Sequence, residues 1–436
     1  MNGPNGAELS WDCPGAGTWT WDRSHFPLPL TAIYADLHGA ATEGFTSAFA
    51  EYGIPARTYA ERGVHGVPYA RVLPLVAPES NRKPPPAGVL RLVMRLHPEF
   101  RKRAANARRV MAEQPWRDAL RRWREEDGPD WVRANAALQA EDLAGMDDRS
   151  LAEYIRRVHA HAAKACIVHF TLTGPELIPI GLLILAGREH GLSDTDILVA
   201  LAGTSPSTRT PDLSGRPWQL VTGYDLDALS VSELSEVMGR AATRVGDPSP
   251  GATPDDVLGQ VVVPSSRAVL TELLEVAASA YALREENGPV LMQWPIGLLR
   301  RALLEVGRRA GVGAVAVEAT MAEILDYLEG GGVLEGEELL GRAARRRHVA
   351  AEAPVSLGVA EPPAPTALMP AAQARITDAI LAAKAALFDR TVTGTLSGTG
   401  VGTVAYRGTA RVALQVEDAL LTSHTTTSGW SCIRTY

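Results

Sequence analysis

LAEYIRRVHAHAAKACIVHF (residues 151–170) and PELIPIGLLILAGREH (175–190), separated only by TLTG, read as two successive helices and set the class of the fold as mainly α. Working back from them, a helix is expected at Trp131–Leu143. The stretch from Pro98 to Arg124 is strongly helical too, with Trp116 and Trp123 seven residues apart on its buried stripe. Its basic run, Arg101 to Arg109, is interspersed with acids further along and reads as a solvated face rather than an anion site. Working forward, a short helix at Asp194–Ala202 precedes the polar segment TSPSTRTPDLSGRP (204–217). A second helical block begins near Asp225, where DLDALSVSELSEVMGRAA sets acidic caps before an apolar stripe. Further helices are expected at Ser266–Glu286, Pro295–Ala310, Thr320–Leu328, Glu335–Arg346 and Ala371–Phe388. DPSPGATPDD (247–256) and the Ala-, Pro- and Glu-rich segment 350–366 read as connections.

Three other regions depart from this pattern. Residues 1–30 are rich in Trp, Gly and Pro and form an extended aromatic arm whose Trp11, Trp19, Trp21 and Phe26 need partners to bury against. A helix follows from Ala32 to Tyr52. Two strand candidates, Pro68–Val76 and Val89–His97, flank the proline-rich PESNRKPPPAG and suggest a hairpin within 68–97. Beyond residue 391, Gly, Thr and Val dominate and YRGTARVALQV alternates like a strand; a segment of about 45 residues is too short for a well-buried β domain of its own. The expected architecture is therefore a large helical domain over 31–390, a small β component and a truncated β-rich segment over 391–436. The strand near Tyr406–Gln415 is a candidate edge for pairing in a homodimer.

Composition narrows the function. The 436 residues are 46% hydrophobic and 21% charged, which supports a sizeable core, and the net charge of −7 gives no electrostatic reason to expect nucleic acid. Cys13, Cys166 and Cys432 stand far apart, the amino terminus lacks the basic start and apolar core of a secretory signal, and no segment reads as a membrane span. The expectation is a cytoplasmic protein without a membrane partner.

Ten histidines invite a search for chemistry, but HExxH and paired CxxC motifs are absent, as are GxGxxG and GxxxxGK[ST] in a strand-to-helix setting. No cofactor or metal is expected; Glu141, Asp142, Asp147 and Asp148 are adequately explained as helix-capping acids. His25, fixed among prolines and aromatics, either works as an acid, base or anion ligand or ties the arm down by a hydrogen bond. Arg284 and Glu285 suit an anion clamp and a base, or else form a solvent-facing helix end on which adjacency turns them apart. His161 and His169 can share a helix face, His159 points largely away, and a structural role competes with a pocket-lining one.

WTWDRSHFPLPLT (19–31), LAGTSPS (201–207), ALREEN (282–287) with LLRRALLEVGRRAG (298–311), and GTGVGTVAYRGTARV (398–412) together resemble phosphoenolpyruvate-utilising enzymes, especially the rifampin phosphotransferase group. The resemblance runs over most of Trp19–Trp430. In that family an ATP-grasp domain supplies the nucleotide chemistry, a helical domain holds the acceptor, and a swivelling domain carries a phosphorylated histidine. The chain resembles the helical acceptor domain followed by the start of the swivelling domain, without counterparts of the ATP-grasp unit or the catalytic-histidine segment; His424 does not fill that place. The resemblance implies that His25 and the Arg284–Glu285 pair lie at the acceptor cavity, with His25 and Glu285 as catalytic residues and Arg284, Trp21, Phe26, His161 and His169 as substrate-binding ones. Three readings stay open. The first is a stand-alone enzyme that acts on a medium-sized hydrophobic small molecule, a specialised metabolite, by nucleotide-independent isomerisation, elimination or cyclisation. The second is an acceptor-binding subunit working with separate phosphotransfer proteins. The third is a non-catalytic binding protein.

Overall fold

The computed structural model describes residues 9–76, 86–204, 219–233, 258–261, 263–360 and 365–388. The protein is mainly α-helical with one small sheet. Helices α1 (Ala32–His38), α2 (Ala41–Glu51), α3 (Ala87–Leu96), α4 (Pro98–Glu113), α5 (Trp116–Arg122), α6 (Gly128–Gln139), α7 (Asp148–Thr171), α8 (Thr173–Glu189) and α9 (Asp194–Thr204) make the first part. After them come α10 (Pro264–Gly288), α11 (Trp294–Ala310), α12 (Met321–Leu325), α13 (Gly336–Glu352) and α14 (Ala371–Leu387). Strands β1 (Thr18–Trp21), β2 (Ala56–Val64), β3 (Val67–Pro74) and β4 (Ser356–Gly358) form an antiparallel sheet of order β2-β3-β1-β4. The segment 391–436 and the expected strand at Tyr406–Gln415 lie outside the described residues, as does His424.

The two helices that set the fold class are its centre. α7 packs on α2 and α11, while α8 packs on α10 and α14. Because α8 is surrounded, Ile178, Ile180, Leu183 and Ile184 are buried on successive faces and the helix has no polar side. Gly181 makes the α8–α14 crossing close: a Cβ there would stand 1.8 Å from the Ala379 carbonyl oxygen. Residues 148–189 are also long and apolar enough to cross a bilayer, which corrects the expectation that no segment is; more than half of the apolar window is inside the fold.

The sheet revises the reading of the N-terminal third. The arm is no separate unit, because Trp19 and Trp21 stand on β1, between β3 and β4, and are 1% and 2% exposed against Val349, Ala353 and Leu357. The hairpin partner of β3 is β2, not Val89–His97. Val64 and Val67 pair across His65 and Gly66, both with positive φ (53° and 82°), the two-residue turn whose twist suits a hairpin. Val89–His97 lies mostly in α3: Met94 is buried and Leu90 and Val93 half-buried, a spacing of three and four residues that belongs to a helix. The expected single helix over 32–52 is two, α1 and α2, and the connection 350–366 contains β4.

The segment at Asp225 is not helical at its start. An isolated bridge joins Val221 to Ser230, and helical residues begin only at Val231, where Ser230 Oγ accepts from the Glu233 amide (3.3 Å) and the Glu233 carboxylate accepts from the Ser230 amide (2.9 Å). Asp225 is a network acid instead. It accepts from the Thr31 amide (2.8 Å) and hydroxyl (2.5 Å) and the Leu226 amide (2.6 Å), and it faces Arg346. Arg346 donates to Pro29 O (2.7 Å), Glu318 (2.6 Å) and Asp227 (3.0 Å) as well, so one cation meets three carboxylates in a buried place. Burial and the Asp227 charge outweigh Arg346 and push Asp225 up to about 6 from 3.8. The native state thus holds a proton the unfolded chain has lost between those values, and the stability it brings is complete below the lower one and lost as pH rises through about 6.

Arg346→Met removes the one cation hydrogen-bonded to all three carboxylates, leaving only the more distant Arg347 charge on Glu318. A loss of about 3–5 kcal/mol is expected at pH 8 by denaturant unfolding. Asp225 and Glu318, which Arg346 holds down, then rise further, so the native state gains protons on acidification and the difference from wild type shrinks toward pH 5. A difference that is constant or grows on acidification would contradict this account.

Candidate functional site

His25 sits in a tight turn directly after β1. Asp22 Oδ1 accepts from the amides of Ser24 (3.1 Å) and His25 (3.3 Å), and Asp22 Oδ2 lies 2.6 Å from His25 Nδ1. Trp21 Nε1 donates to Phe26 O (2.8 Å), which ties the far end of the turn to the sheet. The sequence WDRSHF folds this way because an aspartate followed by small and polar residues caps its own turn, while the flanking aromatics anchor it. Burial alone would raise Asp22, but the hydrogen bonds and charge of His25 override it and hold the carboxyl well below its usual range.

Aromatic and imidazole rings extend inward from this turn. The His25 ring is 4.9 Å from Tyr224 and 6.4 Å from Phe26; Phe26 is 4.9 Å from His38, and His38 is 6.2 Å from Phe170. His38 is held by Glu61 at 2.8 Å. His169 sits beside Phe170 on α7, with ring centroids 4.7 Å apart. Burial pushes His169 down to about 4; nearby Asn287 partly opposes this, and His25 and His38 add to it. His169 is therefore neutral at pH 7.

The other wall comes from α8 and α10. Arg284 donates to Glu285 (2.6 Å) and lies 3.8 Å from Glu176, which accepts from Asn287 (3.2 Å). Burial raises Glu176 against the opposing effects of Arg284 and Asn287. Tyr224 joins the walls: burial raises its hydroxyl, Arg284 opposes, and Glu176, Asp22 and Glu285 add to the rise. Four buried atoms here make no close hydrogen bond to a described residue: Tyr34 Oη, His169 Nδ1, which Asn287 nevertheless influences, Arg284 Nε, which faces Glu176 at 3.8 Å, and Asn287 Oδ1.

Of the expected site residues, His25, Phe26, His169, Arg284 and Glu285 come together in this cluster. Arg284 and Glu285 are not a solvent-facing end: both are mostly buried, they touch each other, and the helix continues through a π-helical turn, Pro289–Gln293, into α11. Trp21 and His161 stand apart from it. Trp21 is buried in the sheet core and acts on the turn only through Phe26 O. His161, about 12 Å along α7 from His169, is paired with Asn135 Oδ1 (2.7 Å) and packed on Trp131, the structural role its sequence reading allowed. Asp22, Tyr34, His38, Glu61, Glu176, Tyr224 and Asn287 were not foreseen. Glu176 alone left a signal, as the one charge inside the apolar run TLTGPELIPIGLLILAG. Of the four acids read as caps, Asp147 caps Ser150, while Asp148 pairs with Arg309 and Glu141 with Arg157. No group of three or more metal-ligating side chains occurs among the described residues. The chain matches no family model, no curated protein and no solved structure.

A direct check is the protonation of His169. NMR of the imidazole should find it neutral at pH 5.5. Its folded pKa lies below the unfolded 6.5, so the stability it confers is present above that value and is lost as pH falls through about 4. His169→Gln should flatten the acid limb of the stability profile; an imidazole titrating near 6.5 would refute the placement.

Proposed function

We propose that the chain is a stand-alone catalyst of proton transfer on a medium-sized hydrophobic molecule, working without a nucleotide. The observation that carries this is the Asp22–His25 pair at 2.6 Å, set against a cluster in which four buried polar atoms make no close hydrogen bond to a described residue. Asp22 Oδ2 accepts from Nδ1–H, which leaves the His25 Nε2 lone pair as the base and stabilises the imidazolium formed when it takes a proton. Phe26, Phe170 and Tyr224 give apolar contact for the body of the substrate, and the unpartnered atoms are available to its hydroxyl or carbonyl groups. Glu285, paired with Arg284, is the second acid–base group. Isomerisation, elimination and cyclisation all fit such a pair.

The order of motifs resembling the helical acceptor domain of phosphoenolpyruvate-utilising enzymes supports a small-molecule site in this same place. It also supplies the competing reading, in which His25 prepares an acceptor hydroxyl for a phosphoryl group delivered by separate proteins. One experiment separates them. The purified chain is incubated in D2O with a panel of polycyclic and macrocyclic hydroxylated compounds, and deuterium uptake or rearrangement is followed by mass spectrometry, with and without ATP. Conversion without ATP is expected. His25→Asn and Asp22→Asn should lower the rate by about 10²–10⁴-fold at unchanged ligand affinity. Unchanged rates in both variants, or conversion only after ATP and phosphotransfer proteins are added, would overturn the proposal.

A further inference from the structure

Helix α3 has a face that nothing in the described fold covers. Val89, Leu92 and Leu96 are 50%, 55% and 62% exposed, and at 100° per residue they fall within about 60° of one another. Met94 points into the protein, so the helix is anchored by one side and bare on the next. Arg95 borders the apolar stripe, and Arg91 lies further round, exposed between Arg95 and the Met94 side. Continuing into α4, the exposed Arg101, Lys102 and Arg108 are also cations, with a single acid, Glu99, among them.

None of Arg91, Arg95, Arg101, Lys102 and Arg108 forms an ion pair with a described residue. Other exposed arginines divide: Arg117 pairs with Glu272, Arg156 with Glu329 and Arg308 with Glu305, while Arg57, Arg345 and Arg347 form no ion pair with a described residue. A chain of net charge −7 thus carries five cations without ion pairs to described residues on α3 and α4, with Arg95 at the border of the exposed apolar ridge. A second copy of the chain laid on this ridge would bring five cations against five. An anionic protein would answer the charge, but the helix offers it a protruding ridge, not a groove to receive a side chain. An anionic lipid surface answers both: the ridge enters the boundary between headgroups and acyl chains, and the arginines reach the phosphates.

We propose that α3 docks the protein on anionic membrane surfaces. The expectation of no membrane partner rested on the lack of a spanning segment, and a helix lying in the interface needs none. This inference stands independently of the catalytic reading.

The full-length protein is tested by flotation with vesicles of phosphatidylcholine alone and of phosphatidylcholine with about a third phosphatidylserine. Binding to the anionic vesicles only, weakened by salt, is expected. Leu92→Gln with Leu96→Gln should weaken the partition about a hundredfold or more, at roughly tenfold or more per buried leucine. Arg91→Gln with Arg95→Gln should weaken it about thirtyfold, at roughly fivefold per basic residue. All four side chains are exposed, so circular dichroism and thermal midpoint should match wild type. Absence of binding, equal binding to neutral vesicles, or wild-type partition in folded variants would overturn the proposal. A concentration-dependent dimer that the leucine variant abolishes in sedimentation would assign the ridge to a second copy instead, and would overturn it equally.

Discussion

Arg346 is the constraint on which the geometry of the N-terminal half depends. Its guanidinium reaches Pro29 O in the arm, Glu318 in the 3-10 turn before α12, and Asp227 in the loop before Val231. Asp225 in the same loop holds the first residue before α1 through both the amide and the hydroxyl of Thr31. Removing Arg346 leaves buried negative charge uncompensated, so the arm, α1, α13 and the loop are fixed together through it. The stacking of His25 on Tyr224 follows from this: His25 belongs to the arm and Tyr224 to the loop, and no backbone pairing links the two. A buried network of this kind contributes little net stability compared with apolar packing, and its effect is to select one arrangement.

The polar cluster beyond His25 has the opposite character. Tyr34 Oη, His169 Nδ1, Arg284 Nε and Asn287 Oδ1 make no close hydrogen bond to a described residue; Arg284 Nε keeps only a 3.8 Å approach to Glu176, and a full orphan such as Tyr34 Oη costs about 1–3 kcal/mol. A core selected for stability alone would fill such positions with apolar groups. The surroundings are otherwise well packed, with Phe45 4.5 Å from Phe170 and Gly44 of α2 pressed on the backbone of α7, so loose packing does not account for the deficit. The unsatisfied atoms gather where the ionisable groups of α7, α8, α10 and the arm converge, and this concentration gives the place its functional interest.

The helices were readable wherever local pattern and tertiary environment agree, as in α7, α10, α11 and α14. They were misread where a turn or an ion pair decides. Nothing in Asp225–Ala228 opposes a helix locally; Arg346, 121 residues away from Asp225, supplies the competing partner. The hairpin was partly legible, since His-Gly between valines is the signal of its turn, but the denser apolar run at Val89–His97 drew the strand assignment away from β2. In the site, the chemistry of a side chain identified His25, His169, Arg284 and Glu285. Tyr224, Asn287 and Tyr34 were invisible because residues of these types occur throughout a globular protein, and only their burial without partners distinguishes them. His161 resembles His169 in every local respect; Asn135, on another helix, makes the difference.

Hydrophobicity summed along the chain also misplaces the protein's relation to lipid. The run 148–189 passes as a membrane span by length and composition, yet α2, α10, α11 and α14 use those side chains as the core, and Glu176 within it is engaged by Asn287. α3 is far shorter and carries two arginines in ten residues, and it is the element with an apolar stripe facing outward. What water or lipid meets is set by which faces the neighbouring elements leave uncovered. For α8 that leaves almost nothing, because α10 and α14 close on it from two sides. For α3, anchored through Met94 alone among its fully buried side chains, it leaves the ridge of Val89, Leu92 and Leu96, and the unpaired cations beside it fix the sign of the surface that can cover it.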